Sequence, residues 1–276
     1  MPELPEVETI ARELHARLAG RTIGDTHVVR GDVLRETDAE GLRRACTGQR
    51  IDRVWRRGKT AIISLTGDWH LLVQPRFTGA VLVEDAPASP PSVDEYATVE
   101  WRLGDGGRFW YRDVRRLGTV TLADADALRA YDARIGDEPL DPAFSVDRLS
   151  VLLRGSRSAI KKVLMDQRVL AGVGNIYANE GLWRSGIDPS REASSLGDDD
   201  VERLHAALVE TLAASIQARG TTFRDYRDPS NRQGSFAAQL LAYGRGGAAC
   251  ARCGTRLTET HAIDGRSTVF CHRCQR

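Results

Sequence analysis

The sequence predicts an α+β fold in two parts. A helix leads into a strand-rich amino-terminal half, and a helical half follows that ends in a Cys-rich hairpin. Three observations predict it. Apolar residues keep helical spacing at the start, then fall into short strand-like runs from about 22 to 122. After about 125 the spacing is helical again. Four of the five cysteines lie beyond residue 249.

Taken in order, Val7, Ile10, Ala11, Leu14 and Leu18 form one helical stripe, and Gly20 is the expected stop. The prolines and acids of "MPELPEVE" suit a helix start, although a cap does not explain Pro2. The runs "TAIISL", "HLLVQP", "GAVLVE", "ATVEWRL", "RFWYRD" and "GTVTL" read as strands, with "DAPASPPS" (85–92) as a loop among them. Downstream, "ADALRAYDA", "SAIKKVLMDQRVL", "NIYANEGLWRSG" and "DVERLHAALVETLAASIQARG" read as helices, the last burying Leu204, Leu208, Leu212 and Ile216. The turn-rich "GDEPLDPAFS" (136–145) marks a boundary, so the expected domains are 1–135, 136–245 and 246–276.

Hydrophobic content of 41% and charged content of 28% describe an ordinary globular chain rather than a disordered one. No apolar run approaches the ~18–20 residues of a membrane span, and no basic-then-apolar leader opens the chain. A cytoplasmic location is the expectation. Net charge is only +1, but residues 50–59, 154–168 and 245–276 each carry +4. Three basic clusters are either three solvated faces or one surface for a polyanion. Lysine occurs only at 59, 161 and 162, against 36 arginines. A lysine kept in such a background can do what arginine cannot, namely lose its proton.

Cys250, Cys253, Cys271 and Cys274 form C-x2-C-x17-C-x2-C, a zinc-ribbon spacing. Four thiolates close a tetrahedral shell, so one structural Zn2+ is expected. Two disulfides are the alternative, disfavoured by a cytoplasmic setting. Cys46 reads as a buried small hydrophobe. The hairpin also carries Arg252, Arg256, Arg266 and Arg273, a good phosphate-binding set. "LAGVGNIYANE" (170–180) puts Gly172 and Gly174 before a helix, with Asn175 as the expected N-cap. Spacing alone leaves it open between a phosphate site and a plain helix–helix turn.

Together these segments resemble the formamidopyrimidine-DNA glycosylase / endonuclease VIII family of base-excision repair enzymes over nearly the whole chain. The carriers are "PELPEVET", "RRGK" (56–59), "YRDVRRLG" (111–118), "IKKVLMDQRVLAGVGNIYANEGLWRSGIDP", "GTTFRDY" (220–226) and the Cys-rich tail. The resemblance implies an antiparallel β-sandwich domain, a helix–two-turns–helix domain and a β-hairpin zinc finger gripping damaged DNA. It implies that Pro2, freed by loss of Met1, attacks the sugar as an amine. An α-amine titrates at ~8, so a useful fraction is unprotonated at neutral pH. It implies acid–base work for Glu3, support from Glu6, proton donation in β-elimination by Lys59, and phosphate contact and δ-elimination by Arg266. Lys161 and Asn175, with Arg157 beside them, match phosphate-clamping positions.

Departures from the family fall near Phe77, near Glu95–Thr98 and at Leu117. Phe77 stands where a methionine wedge is usual, and Leu117 where the probing loop has phenylalanine. Arg115, which faces the orphan base, is kept, while the usual "KHDH" is lost near Glu95–Thr98. The expected activity is a bifunctional glycosylase and abasic-site lyase for oxidised purines in double-stranded DNA, acting as a monomer. The alternatives are an endonuclease VIII-like enzyme for oxidised pyrimidines and a zinc-bearing DNA-binding protein without catalysis.

Overall fold

Residues 1–86 and 94–276 are described by the computed structural model, so residues 87–92 of the expected 85–92 loop lie outside the described residues. Helix α1 (Leu4–Leu18) starts on Pro5 and stops just before Gly20, which takes a left-handed φ of +84°. Its stripe of Val7, Ile10, Leu14 and Leu18 is fully buried. After it come β1 (Ile23–Val28), β2 (Leu34–Arg35), α2 (Ala39–Cys46), β3 (Ile51–Arg57), β4 (Thr60–Leu65) and β5 (His70–Gln74). Then follow β6 (Gly79–Glu84), β7 (Ala97–Leu103), β8 (Arg108–Asp113) and β9 (Thr119–Ala123).

One antiparallel sheet runs β1-β7-β8-β6, and a second runs β2-β9-β5-β4-β3, where only β2 and β9 pair in parallel. Trp101, Phe109, Tyr111 and Val81 of the first share a core with Ala61, Ile63, Leu71 and Val73 of the second and with α1. This is the expected sandwich, stabilised by roughly 1.5–3 kcal/mol per fully buried large apolar side chain. Strand β4 is buried on both faces, because Ile62 and Leu72 pack beneath Leu128 and Tyr131 of α3 (Ala125–Asp132). Among the described strands the chain changes sheet three times, through residues 29–33 after β1, 75–78 after β5 and 114–118 after β8.

By packing, the chain divides into two units: residues 1–133 with 218–235, and residues 134–217 with 236–276. The return of 218–235 to the first unit is not visible in the sequence-based division. It rests on side chains far apart in sequence. Arg219 bridges Glu13 and Asp228, and the Pro229 carbonyl accepts from Val83 N–H at 3.2 Å.

The second unit contains α4 (Val146–Arg154), α5 (Ile160–Met165), α6 (Asn175–Ser185), α7 (Asp198–Gln217) and the hairpin β10 (Thr258–Thr260)–β11 (Thr268–Phe270). Leu204, Leu208 and Leu212 are buried as expected, and Ile216 is half-buried. One expectation is corrected. Gly174, not Asn175, holds the N-cap of α6: Asn175 is already helical, and its amide oxygen accepts from Asn179 at 3.2 Å while its NH2 donates to the Ser267 carbonyl at 3.0 Å. The turn before it is closed by Gln167, whose side chain accepts from Gly172 N–H at 2.9 Å.

Candidate active site and nucleic-acid interface

The first turn of α1 organises one group of residues. Pro2, Glu3 and Glu6 are all buried. The Glu6 carboxylate reaches back to accept from Glu3 N–H at 2.8 Å, which fixes the residue before the helix. Its other oxygen accepts from Thr221 N–H at 2.7 Å. The Tyr226 hydroxyl donates to the Glu6 carbonyl at 3.2 Å. Glu6 thus clasps the chain start and the 220–226 segment together. Gly220 is required there: its φ is +86°, and a Cβ would sit 2.9 Å from Glu6 Cγ. Phe223, at the tip of the segment, is exposed.

Lys59 occupies the second position of a two-residue hairpin turn between β3 and β4. Gly58, with φ +56°, takes the first. Positive φ at the first position only is the type II′ arrangement that suits twisted strands. Arg56 braces this turn, donating to the Gly58 carbonyl at 3.0 Å and to Glu8 of α1 at 2.8 Å. The pair is largely buried, with side chains 8% and 19% exposed. On the other side Tyr131 donates to Thr60 at 2.8 Å, and Arg57 pairs with Asp132 at 2.5 Å. One helix therefore fixes Glu3 through Glu6 and the lysine turn through Glu8. Nothing local in the sequence marks Glu8, Arg56, Thr221 or Tyr226 for these roles.

A second group stands on the sheet-changing loops 75–78 and 114–118. Phe77 is 47% exposed and Leu117 40%. The Arg115 guanidinium lies over the Phe77 ring, 5.4 Å from its centroid. Phe77 and Arg115, 38 positions apart in sequence, form one exposed apolar and cationic contact, and Leu117 follows Arg115 two residues on in the same loop.

The third group belongs to the second unit. Arg266 is exposed on the turn between β10 and β11. Lys161 of α5 is fully buried, and its ammonium donates to Thr268 Oγ1 at 2.7 Å, the Ser267 carbonyl at 3.2 Å and Asp264 at 3.4 Å. Burial lowers its pKa, against the opposing pull of Asp264. Its three N–H bonds are thus given to the turn that carries Arg266 and not to solvent. Asn175 and Asn179 hold the same turn, the latter accepting from Val269 N–H at 2.7 Å. Arg157 is exposed in the link before α5.

The sulfurs of Cys250, Cys253, Cys271 and Cys274 lie within 4.8 Å of one another, and none is in a disulfide. Four sulfurs at ~2.3 Å from one tetrahedral ion are about 3.8 Å apart, so the set fits a metal. Gln275 pins the second knuckle, accepting from Cys271 N–H at 2.8 Å and donating to the Ile187 carbonyl at 2.8 Å. Buried Glu180 of α6 accepts from the N–H groups of Leu241, Ala242 and Tyr243, anchoring the approach to the finger. Among the described residues, no helix is long and apolar enough to cross a membrane.

Known proteins match this architecture throughout. Residues 1–120 match the formamidopyrimidine-DNA glycosylase N-terminal domain model, and 135–227 its H2TH domain model. A formamidopyrimidine-DNA glycosylase of Roseiflexus sp. (strain RS-1) is 40% identical with both chains fully covered. One of Moorella thermoacetica is 42% identical over 93% of each chain. Among solved structures, a complex between Lactococcus lactis Fpg and DNA containing an abasic site superposes with a TM-score of 0.90 at 32% identity, covering 99% of each chain. MutM in complex with DNA containing carbocyclic 8-oxo-G gives the same score and identity, with both chains fully covered.

Proposed function

The chain belongs to the formamidopyrimidine-DNA glycosylase family, and from that membership we propose that it excises oxidised purines (8-oxoguanine, formamidopyrimidines) from double-stranded DNA and cleaves the abasic site it leaves. Loss of Met1 frees the Pro2 amine, whose lone pair adds to sugar C1′. The bond from C1′ to the damaged base breaks, and the base departs with a proton. Glu3 protonates the ring oxygen as the base leaves, the ring opens, and a Schiff base remains. Removal of a C2′ proton then expels the 3′ phosphate, with Lys59 as proton donor. Arg266, against the phosphate, assists the second elimination.

The observation that carries this reading is the double hold of α1, through Glu6 on Glu3 and through Glu8 and Arg56 on the lysine turn. Catalytic groups on separate loops would need ordering at every turnover; these are fixed beforehand. Phe77, Leu117 and Arg115 act as the wedge that fills the stack when the base is flipped out, with Arg115 toward the orphan base. Arg157, Asn175 and Arg266 hold phosphates, while Lys161 serves the Arg266 turn from behind. One Zn2+ bound by the four cysteines shapes the finger, and a closed thiolate shell leaves it no part in the chemistry. The protein works as a monomer on chromosomal DNA in the cytoplasm.

Borohydride trapping on an abasic duplex, followed by peptide mapping, tests the mechanism. A cross-link at Pro2 of Met1-processed protein is expected; absence of any adduct would leave a DNA-binding module without catalysis. Side-by-side excision assays test the substrate. Faster release of thymine glycol than of 8-oxoguanine would transfer the chain to the oxidised-pyrimidine branch.

A further inference from the structure

Two of the loops that change sheet, 75–78 and 114–118, depend on one carboxylate. Asp113, at the end of β8, is 2% exposed. Its Oδ1 accepts from the Thr78 hydroxyl at 2.5 Å and from Arg115 N–H at 3.2 Å. Its Oδ2 accepts from Gly118 N–H at 2.8 Å and from the Tyr111 hydroxyl at 3.1 Å. Arg115 N–H is shared with Thr78 Oγ1 at 3.0 Å. One side chain therefore holds residues near both ends of the 114–118 loop and the hydroxyl of the 75–78 loop.

Four donors make the burial of a carboxylate tolerable. They also make it specific, since three come from different points on the two loops and the fourth from Tyr111 of β8. Tyr111 is fully buried, and the backbones of Gly79 and Gly118 close around its hydroxyl so tightly that a Cβ on either would overlap it. Burial, and then the charge of Asp113, hold that phenol protonated, so it donates. Above this buried knot stand Phe77, Leu117 and Val114, all at least 40% exposed, with Arg115 laid over Phe77. Apolar side chains so exposed gain little fixation from packing; their geometry comes from the polar bonds beneath them.

We propose that Asp113 is the positioning residue of the wedge, joining the two loops so that Phe77, Arg115 and Leu117 enter the duplex as one preassembled unit. This rests on the glycosylase reading above. Preassembly removes the cost of ordering two loops at the moment the base leaves the stack. It also fixes Arg115 where it meets the orphan base, so Asp113 bears on the choice of opposite base without touching DNA.

The test compares wild type, Asp113→Asn and Thr78→Val as full-length, zinc-loaded proteins. The substrates are 8-oxoguanine in duplex opposite cytosine, the same lesion opposite adenine, and an abasic site in a single strand. The amide of Asp113→Asn turns a donor toward two existing donors. Duplex kcat/KM should fall roughly 10- to 100-fold while single-strand cleavage stays within about twofold. The cytosine-to-adenine rate ratio should move toward one. Thr78→Val should shift both readouts the same way, by less, and it decides the matter if Asp113→Asn fails to fold. Wild-type duplex rates with an unchanged ratio, or equal losses on duplex and single strand, overturn the proposal. A wild type inactive on all three substrates overturns the glycosylase reading instead, and this proposal with it.

Discussion

Replacing Glu6 by glutamine removes one oxygen from the clasp and little else. The carboxylate now receives Glu3 N–H on one oxygen and Thr221 N–H on the other. Glutamine keeps a single acceptor, so one of the two bonds loses its charge assistance, worth about 1 kcal/mol. The other N–H faces an amide NH2 in a site where Glu6 is 1% exposed, and an orphaned buried donor costs about 1–3 kcal/mol. The sum is about 2–4 kcal/mol. For a folding unit of this size that lowers Tm by roughly 5–15 °C. The functional loss should be selective. Glu3 is assigned to the step in which the base leaves, and an abasic substrate has already passed it. Glu6→Gln should therefore lose excision of 8-oxoguanine by more than tenfold, yet keep most of its abasic-site cleavage. Thermal unfolding and paired gel assays on the two substrates measure both effects. A variant that melts and excises like wild type, or loses both activities in proportion, refutes the clasp as the device that orients Glu3.

Lys161→Met should weaken binding to an abasic-analogue duplex about tenfold or more while leaving the slope of log K against log salt unchanged, because a strut releases no counterions; a slope reduced by about 0.9, as expected for Arg266→Ala, would make Lys161 a direct phosphate ligand. Metal analysis of purified protein should find one zinc per chain, and its removal by chelator, or Cys253→Ser, should abolish DNA binding while leaving the melting of the sandwich unit in place. Phe77→Met removes the surface on which Arg115 lies; excision opposite cytosine should change only a few-fold, and discrimination against adenine should fall, since a cation–π contact contributes about 0.5–2 kcal/mol.

Much of the fold was legible because its signals are local. The stripe of α1, the six strand runs and the cysteine spacing each fit within a few turns or one hairpin. The expected N-cap at Asn175 failed because the helix begins one residue earlier, and the Asn175 side chain is turned to Asn179 and to Ser267, 92 positions on. Distance in sequence also hid Asp113. An aspartate at a strand end is an ordinary turn signal, and nothing nearby announces that Thr78 shares it. The return of 218–235 depends on Arg219 meeting Glu13, 206 positions away. Lys161 was half legible. The scarcity of lysine marked it as a residue with a reason, but the reason read from the family was phosphate. Three oxygens placed around one ammonium suit a pyramidal donor better than a planar guanidinium.

The bond between Glu6 and Thr221 spans 215 residues, and this sets a clock on the protein's making. At ~5–20 residues per second, roughly 10–40 s separate the synthesis of its two ends. Throughout that interval the buried carboxylate of the first helix turn lacks the Thr221 N–H. The sandwich can collapse on its own strands, but its amino-terminal clasp stays open until the ribosome has finished most of the second unit as well. A chain released early, between residues 123 and 221, carries every strand of the sandwich and still lacks the hand that closes on its own beginning.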